Sequence, residues 1–264
     1  MTPSDPLFLV LTAYVAMAMV MVGLWVLQRR MRNASIVDVG WCAGLIAVVM
    51  WYATQATGAT ERKMAVAILA VLYAGRLGFY ILFNRVIGKT EDARYRRLRE
   101  QWGASESIKM FGYLQLQALA LAVISLPFLV LVRNPEPPFA PIEFVGLLIW
   151  IGAVFGEAMA DRQLAQFRSK SWNRGRVCRE GLWRYSRHPN YFFEWMHWWA
   201  YVVMGVNTPW WLLTWIGPIG MGWALLRVTG IPWTERQALA SRGEEYRTYQ
   251  QTTSSFIPWF LKMR

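Results

Sequence analysis

One stretch of this chain limits its possible folds more than any other, because Leu7–Leu27 carries no charged residue. An α-helix rises about 1.5 Å per residue, so about twenty apolar residues span the ~30 Å hydrocarbon core of a membrane. Six further apolar runs follow, namely Val37–Tyr52, Met64–Phe83, Phe111–Val132, Ile142–Ala160, Tyr191–Val206 and Pro209–Leu226. The pattern predicts an all-α integral membrane bundle of seven transmembrane helices, built as a single domain over residues 1–264.

The first apolar run differs from a cleavable signal peptide at both of its ends. It has no basic start. Arg29, Arg30 and Arg32 follow it, where a signal peptide would have small residues at its cleavage site. We therefore expect this run to remain in the protein as the first transmembrane helix.

The net charge of +12 is distributed unevenly along the chain. Positive residues concentrate in alternate loops, at 29–32, 85–109, 161–187 and after Arg227, whereas the opposite loops hold few. Because positive loops favour the cytoplasm, we predict an outside N-terminus, a cytoplasmic C-terminus and a multi-pass location in a bacterial inner membrane. No nucleic acid is expected as partner. The excess charge has two open explanations, this topology bias alone or a phosphate-bearing ligand on the cytoplasmic face.

The two cysteines, Cys42 and Cys178, are far apart in the sequence. Neither belongs to a CxxC pair or to a cluster with histidine. This spacing argues against a disulfide or a structural zinc site, and we predict no bound metal.

The third apolar run carries polar side chains at regular intervals. Tyr73, Arg76, Tyr80 and Asn84 fall at offsets of 0, 3, 7 and 11, and Arg85 follows. At 3.6 residues per turn these offsets form one stripe along a helix. Polar groups at membrane depth cost free energy, so the stripe is a candidate functional face. Two structural alternatives stay open: an arginine neutralised by a carboxylate of another helix, and an interfacial belt of tyrosines.

A second polar set lies at the end of the fifth run. Glu157, Asp161 and Arg168 stand at offsets of 0, 4 and 11, so they share one face of a helix. Asp161 and its neighbour Arg162 also suit a simple membrane boundary, with side chains that reach toward water.

The sixth run opens with YSRHPNYFFEWMHWW at 185–199, which holds both histidines of the chain. Asn190 and Glu194 are four residues apart and face the same way on a helix, and Pro189 suits the first helical turn. A helix N-terminus beside Arg187 favours an anion. The carboxylate of Glu194 needs a hydrogen-bond donor or a cation, and the amide of a cofactor head would supply donors.

Asp38 begins the second run, within Ser35-Ile-Val-Asp-Val-Gly-Trp41. A carboxylate near a helix N-terminus is stabilised by the helix dipole, which is one explanation for it. At membrane depth it would need a partner, and Tyr73 and Arg76 of the next run are close to it in topology.

Two of these segments resemble the steroid 5-alpha-reductase family and its 3-oxo-5-alpha-steroid 4-dehydrogenase C-terminal domain. They are Gly181-Leu-Trp-Arg-Tyr-Ser-Arg-His-Pro-Asn-Tyr-Phe-Phe-Glu194, and Tyr73-Ala-Gly-Arg76 with Tyr80 and Asn84-Arg85 after it. The resemblance covers most of the chain after about residue 35 and implies a bacterial member of the family. The stretch around Arg187-His-Pro-Asn-Tyr alone is also similar to membrane isoprenylcysteine and phospholipid methyltransferases and to sterol reductases.

The resemblance implies a membrane reductase that takes hydride from NADPH. By motif position it implies that Tyr73 hydrogen-bonds the substrate carbonyl and that Asp38 stands near the family's glutamate partner. It further implies that Asn190 and Glu194 hold the nicotinamide end. The remaining cofactor-binding residues that it implies are Arg76, Tyr80, Arg85, Asp161, Arg168, Arg176, Tyr185, Arg187 and His188.

Three features of the sequence differ from the pattern of eukaryotic members or of soluble dehydrogenases. Glu157 stands where the eukaryotic enzymes have asparagine, and Thr229–Glu235 lacks their histidine and tyrosine. The chain has no GxGxxG motif, so a Rossmann domain would not be the device that holds NADPH.

The expected reaction reduces the C4–C5 double bond of a 3-oxo-delta-4 steroid or a related enone lipid. Negative charge then develops on the carbonyl oxygen, and a preorganised donor such as the Tyr73 phenol can contribute ~3–4 kcal/mol. Two other functions stay open. A methyltransferase that uses S-adenosylmethionine would share Arg187-His-Pro and the Glu244-Glu-Tyr-Arg tail. A non-enzymatic protein that binds or transports membrane lipids would need a polar path through the bilayer.

Overall fold

The apolar runs of the sequence are helical. The computed structural model describes residues 2–138 and 140–260. Within these residues the α-helices are α1 (Pro6–Met31), α2 (Ile36–Gln55), α3 (Thr60–Ile81), α4 (Ala93–Trp102), α5 (Glu106–Ile124), α6 (Leu126–Val132), α7 (Pro141–Ser169), α8 (Pro189–Gly205), α9 (Ile216–Trp223) and α10 (Ile231–Thr252). No strand occurs in these two ranges, where Ser186 and Ser254 form an isolated bridge. The predicted all-α class is confirmed for this part of the chain.

Six helical segments of the described chain are long and apolar enough to cross a membrane. They are Pro6–Met31, Ile36–Gln55, Thr60–Val86, Ala93–Val132, Pro141–Ser169 and Trp211–Thr252. The first five contain one predicted apolar run each, and the sixth overlaps the run predicted at Pro209–Leu226. The remaining run, 191–206, ends one residue after α8, which is 17 residues long. Several apolar helices of this length are compatible with a multi-pass membrane protein.

The outer surface of α1 is apolar, as a lipid environment requires. Its buried positions include Leu9, Ala13, Met17 and Met21, which recur every four residues and form one narrow stripe. Large apolar side chains elsewhere on the helix are exposed, including Met19 at 64%. An apolar surface of this extent would be unfavourable in water, but it matches the hydrocarbon core of a bilayer.

The chain divides into two compact units. Unit 1 is Met1–Ala140 with Gly205–Ile216, and unit 2 is Pro141–Met204 with Gly217–Arg264. In unit 1, helix α2 packs against α1 and α3, and α1 also packs against α5. The prediction of a single domain stays a prediction.

Two short segments depart from α-helical geometry where membrane helices end. Leu82–Val86 continues α3 as a π-helix, and Ala224–Val228 continues α9 in the same way. Each segment holds an arginine, Arg85 or Arg227. Wider π turns change the angular phase of a helix, so Asn84 departs from the regular stripe that a continuous α-helix predicts. Asn84 is exposed, and its amide donates to the Tyr80 carbonyl over 3.0 Å.

In unit 2, helices α7 and α8 approach closely at glycines. A side-chain carbon added at Gly146 would lie 2.9 Å from the Ala200 carbonyl oxygen, and one at Gly156 would lie 2.5 Å from the Phe193 ring. These two α7 residues lack the side chains that would separate the helices.

Helix α10 bends sharply at Gly243, whose φ of 52° and ψ of −125° are unfavourable for residues with a side chain. The bend has a structural consequence. Gln250 donates to Glu235 over 2.7 Å although fifteen residues of straight helix would separate them by about 22 Å. The second half of α10 therefore folds back toward the first half.

Candidate functional site

Tyr73 is the most deeply placed member of the predicted α3 stripe. It is the middle residue of Thr60–Val86, and its side chain is only 1% exposed. Val71 and Leu72 beside it are exposed, so α3 turns its apolar face outward and Tyr73 inward. Tyr73 is thus buried at mid-depth, which excludes the interfacial tyrosine belt as its explanation.

The other stripe residues lie toward the end of this span. Arg76 and Tyr80 are half-buried on α3, and Arg85 is half-buried in the π-helical segment. The Arg85 guanidinium lies 5.8 Å from the centroid of the Tyr80 ring, a cation–π contact. Arg85 and Tyr80 therefore form a cationic, aromatic end to the stripe.

Asp38 lies in a polar cluster of unit 1 that includes residues of α4. Its carboxylate oxygens accept a 2.6 Å hydrogen bond from Arg94 and a 2.7 Å hydrogen bond from the Tyr95 hydroxyl. The order of the apolar runs in the sequence indicates Tyr73 and Arg76 as candidate partners. Arg94 and Tyr95 are instead the partners that the structure gives to Asp38, and Tyr95 is buried.

The segment before α4 is fixed to the turn between α1 and α2. The Asp92 backbone N–H donates to the Ser35 hydroxyl over 2.8 Å, and the Ala34 N–H donates to Glu91 over 2.7 Å. Burial raises the pKa of the Asp92 carboxyl, but the charge and hydrogen bonds of Arg94 outweigh it, so this pKa lies below its usual value. These bonds hold α4 beside Asp38.

In unit 2, the start of α8 joins α7 through a buried amide–carboxylate pair. Asn190 donates from Nδ2 to Asp161 Oδ1 over 3.3 Å, and both side chains are buried. Asp161, Glu157 and Arg168 all lie on the continuous helix α7, so their predicted spacing along one face holds. Glu157 is buried and Arg168 is exposed, so this face runs from the protein interior to the surface.

The arginine and histidine before α8 contact α10. Arg187 donates from Nε to Glu235 Oε1 over 2.6 Å, and from one terminal nitrogen to the carbonyls of Gln250 and Thr253 over 3.0 and 2.6 Å. His188 lies 3.3 Å from the same Glu235 oxygen. Burial lowers the pKa of His188 more than Glu235 raises it, so its neutral ring donates this hydrogen bond at neutral pH.

The C-terminal tail is held against the same segment. The Arg187 backbone N–H donates to the Ser254 carbonyl over 2.9 Å, and the Trp259 N–H donates to the Tyr185 carbonyl over 3.0 Å. The Ser186 hydroxyl also donates to the Phe256 carbonyl over 2.7 Å. The tail therefore positions the beginning of α8 from outside the helix.

The remaining predicted cofactor residues lie at the surface of unit 2. Arg176 and Tyr185 are exposed, and Glu194 of α8 is half-buried. The Arg176 carbonyl accepts a hydrogen bond of 3.0 Å from Arg242 Nε. The roles predicted for these residues stay predictions.

Several residues of these clusters could not be identified from the sequence. Arg94 and Tyr95 are 56 and 57 positions from Asp38, and Glu235 is 48 positions from Arg187. Such separations give no periodic signal. In the sequence, Glu235 is conspicuous only because its segment, Thr229–Glu235, departs from the family pattern.

The relative and the family that match this chain are both described without a function. The chain is 23% identical over 269 aligned positions to Uncharacterized protein C594.04c of Schizosaccharomyces pombe, an alignment that covers 89% of this chain and 75% of the yeast protein. No solved structure matches the chain. A family model described as "Protein of unknown function (DUF1295)" matches residues 24–253, which include Asp38, Tyr73, Asn190 and Glu235. The chain is a member of the DUF1295 family.

Proposed function

We propose that this protein is an NADPH-dependent membrane reductase of the steroid 5-alpha-reductase type. Its substrate would be a 3-oxo-delta-4 steroid or a related enone lipid, reduced at the double bond conjugated to the ketone. The observation that carries the proposal is the Tyr73 phenol, which is buried at the midpoint of a membrane span.

A phenol in this position suits a substrate that enters from the bilayer. When bound, NADPH would supply a hydride to the substrate's beta carbon, and a proton drawn from solvent would be added at the alpha carbon to complete the reduction. The Tyr73 hydroxyl would donate a hydrogen bond to the substrate's carbonyl oxygen, where negative charge develops. A preorganised donor in a site without water can contribute about 3–4 kcal/mol to such a step.

The side chains of unit 2 fit a dinucleotide cofactor chemically. The nicotinamide carboxamide has both donors and an acceptor, and Asn190 and Asp161 offer an amide and a carboxylate at the α7–α8 contact. The carboxylate of Glu194 is four residues after Asn190 on α8. Arg168 and Arg176 are exposed cations suited to phosphates. The 3.3 Å hydrogen bond from Asn190 to Asp161 would orient the amide toward a cofactor.

Arg187 and His188 would act indirectly in this proposal. Both side chains contact Glu235, and Arg187 also contacts carbonyls of the tail. Their proposed role is to hold the first turn of α8, and with it Asn190, in a fixed position. Because the Arg187 guanidinium is bonded to Glu235 and to the tail, the proposal favours this indirect role over direct contact with a phosphate.

In this proposal Asp38 has an indirect catalytic role. Its carboxylate binds Arg94 and Tyr95, so it would act on Tyr73 by fixing the surrounding helices or through a proton relay. This indirect role does not require Asp38 to contact the substrate.

We also propose seven membrane crossings, with an outside N-terminus and a cytoplasmic C-terminus in a bacterial inner membrane. Residues 253–259 bind the segment before α8, so both ends of 189–252 lie on one side. An even number of crossings must separate them, and α8 with the apolar segment after it supplies two. Helix α8 would be about 26 Å long, near the ~30 Å of a hydrocarbon core.

The test of the catalytic role is Tyr73→Phe, which removes the hydroxyl and retains the ring. Turnover of progesterone with NADPH should fall roughly 10²–10³-fold in kcat, with NADPH affinity unchanged. Tyr52→Phe is the matched control, because it removes another buried hydroxyl of unit 1, one that contacts Ser125 over 3.0 Å. Equal loss in both variants, or no loss in Tyr73→Phe, would contradict the proposed role of Tyr73.

A further inference from the structure

Three arginines surround a cavity at the C-terminal end of α1. The cavity has a volume of about 290 Å³ and is lined by Arg29, Arg32, Arg99 and Glu106. Arg29 and Arg32 are exposed, and neither side chain makes an ion pair within the described ranges 2–138 and 140–260. The carboxylate that lines the cavity, Glu106, pairs with Arg99. Arg29 and Arg32 therefore add positive charge that this ion pair does not neutralise.

Arg99 is a fixed wall of this cavity. Its Nε donates to both oxygens of Glu91 over 3.0 and 3.1 Å, and its terminal nitrogens donate to Glu106 and to the buried Gln28. A guanidinium has five N–H donors, and these contacts use three. The other two can serve a ligand.

Arg29 is also held in place, by aromatic rather than ionic contact. Its guanidinium lies 4.9 Å from the centroid of the Trp25 ring. The Trp25 indole N–H donates to the Ser107 carbonyl over 2.9 Å, so the ring is anchored to α5. The positive-inside tendency explains why arginines follow a membrane span, but it does not explain why Arg99 of α4 converges with them.

The helix surface that leads to this cavity is apolar. Val15, Met19, Val22 and Val26 recur at offsets of 0, 4, 7 and 11, are 52, 64, 40 and 39% exposed, and end one turn before Arg29. The offset from Val15 to Arg29 is 14, so Arg29 belongs to the same face. The four apolar residues extend over about 17 Å, close to half of a ~30 Å hydrocarbon core.

We infer that this cavity binds the phosphate headgroup of an anionic phospholipid whose acyl chain lies along the Val15–Val26 face of α1. The cations surround the phosphate at the membrane boundary, and the apolar face receives hydrocarbon within the bilayer. The inference does not depend on the proposed reductase activity.

The test compares binding of dioctanoyl phosphatidylglycerol and dioctanoyl phosphatidylcholine to the detergent-solubilised full chain. Each arginine near an anionic surface contributes about five-fold in affinity, so Arg29→Gln with Arg32→Gln should weaken phosphatidylglycerol binding roughly thirty-fold. Arg30→Gln is the matched control, because Arg30 is exposed on the same turn but does not line the cavity. It should retain wild-type affinity.

Three results obtained with the wild type and the glutamine variants would overturn the inference. They are equal losses in the double variant and in Arg30→Gln, equal affinity of the wild type for the two lipids, and displacement of phosphatidylglycerol by equimolar inorganic phosphate. Arg29→Lys with Arg32→Lys separates charge from folding, because it should keep most of the phosphatidylglycerol affinity. If the lysine variant binds as weakly as the glutamine variant, charge is not what the cavity recognises.

Discussion

The guanidinium of Arg187 and the carboxylate of Glu235 meet over 2.6 Å, although 48 positions separate them in the chain. This ion pair joins the start of α8 to α10. Its side chains are only 9 and 16% exposed, so water replaces the interaction poorly. The contact explains the conspicuous Arg187-His188 sequence as part of the framework that positions α8.

Glu235→Gln should destabilise the protein by about 3 kcal/mol, because it leaves the buried Arg187 charge without its carboxylate. Thermal unfolding in detergent measures the loss. The matched control is Glu244→Gln on the same helix, whose 3.1 Å pair with Arg247 is exposed and should contribute less than about 1 kcal/mol. Equal melting temperatures for the two variants would show that Glu235 does not stabilise the fold.

His188 should make stability depend on pH below neutrality. Burial lowers its pKa in the folded state more than Glu235 raises it, while an unfolded histidine titrates near pH ~6.5. The unfolded state therefore binds more protons, so stability is complete above about pH 6.5 and is lost as the pH falls through the lowered pKa.

The measurement is the melting temperature between about pH 7.5 and 5.5 for the wild type and His188→Gln. Glutamine keeps an N–H donor for Glu235 but does not titrate. The wild type should lose more stability than the variant across this range. Parallel curves would show that His188 does not contribute to the pH dependence.

Gly146→Ala should destabilise unit 2 by about 1–3 kcal/mol. The added methyl group would lie 2.6 Å from the Met204 Cγ and 2.9 Å from the Ala200 carbonyl oxygen, so α8 must move. Gly152→Ala on the same helix has no atom within 4 Å of the added carbon and should be neutral or stabilising by up to about 1 kcal/mol. Thermal melts of both variants distinguish a packing contact from a general intolerance of α7 to substitution; equal effects would contradict the close approach of α7 and α8.

The helices were predictable because lipid burial requires long uncharged runs, and the sequence displays these directly. Tyr73 was also predictable as a buried group, since its helical periodicity and mid-span position are local properties of the chain. The π turns at Leu82–Val86 and Ala224–Val228 left no periodic signature, so the expected continuation of the stripe to Asn84 was not realised.

Partners brought together by folding were not predictable in the same way. Asp38 binds Arg94 and Tyr95 because the polar segment before α4 is fixed to the α1–α2 turn. No local sequence pattern predicts that contact. Glu235 binds Arg187 from a distant part of the chain, and the bend at Gly243 brings Gln250 to the same carboxylate. One glycine in a charged sequence does not specify that bend, because many glycines occur in ordinary turns.

The cofactor preference of the purified protein tests the central proposal most directly. Thermal unfolding would be measured in detergent with NADPH and, separately, with S-adenosylmethionine at matched concentrations. Binding at one hundred times Kd stabilises a folded protein by about 2.7 kcal/mol, so saturating NADPH should raise the melting temperature by several degrees. Asn190→Ala should reduce that increase, and S-adenosylmethionine should produce none. Stabilisation by S-adenosylmethionine with no effect of NADPH would contradict the reductase proposal and favour a membrane methyltransferase.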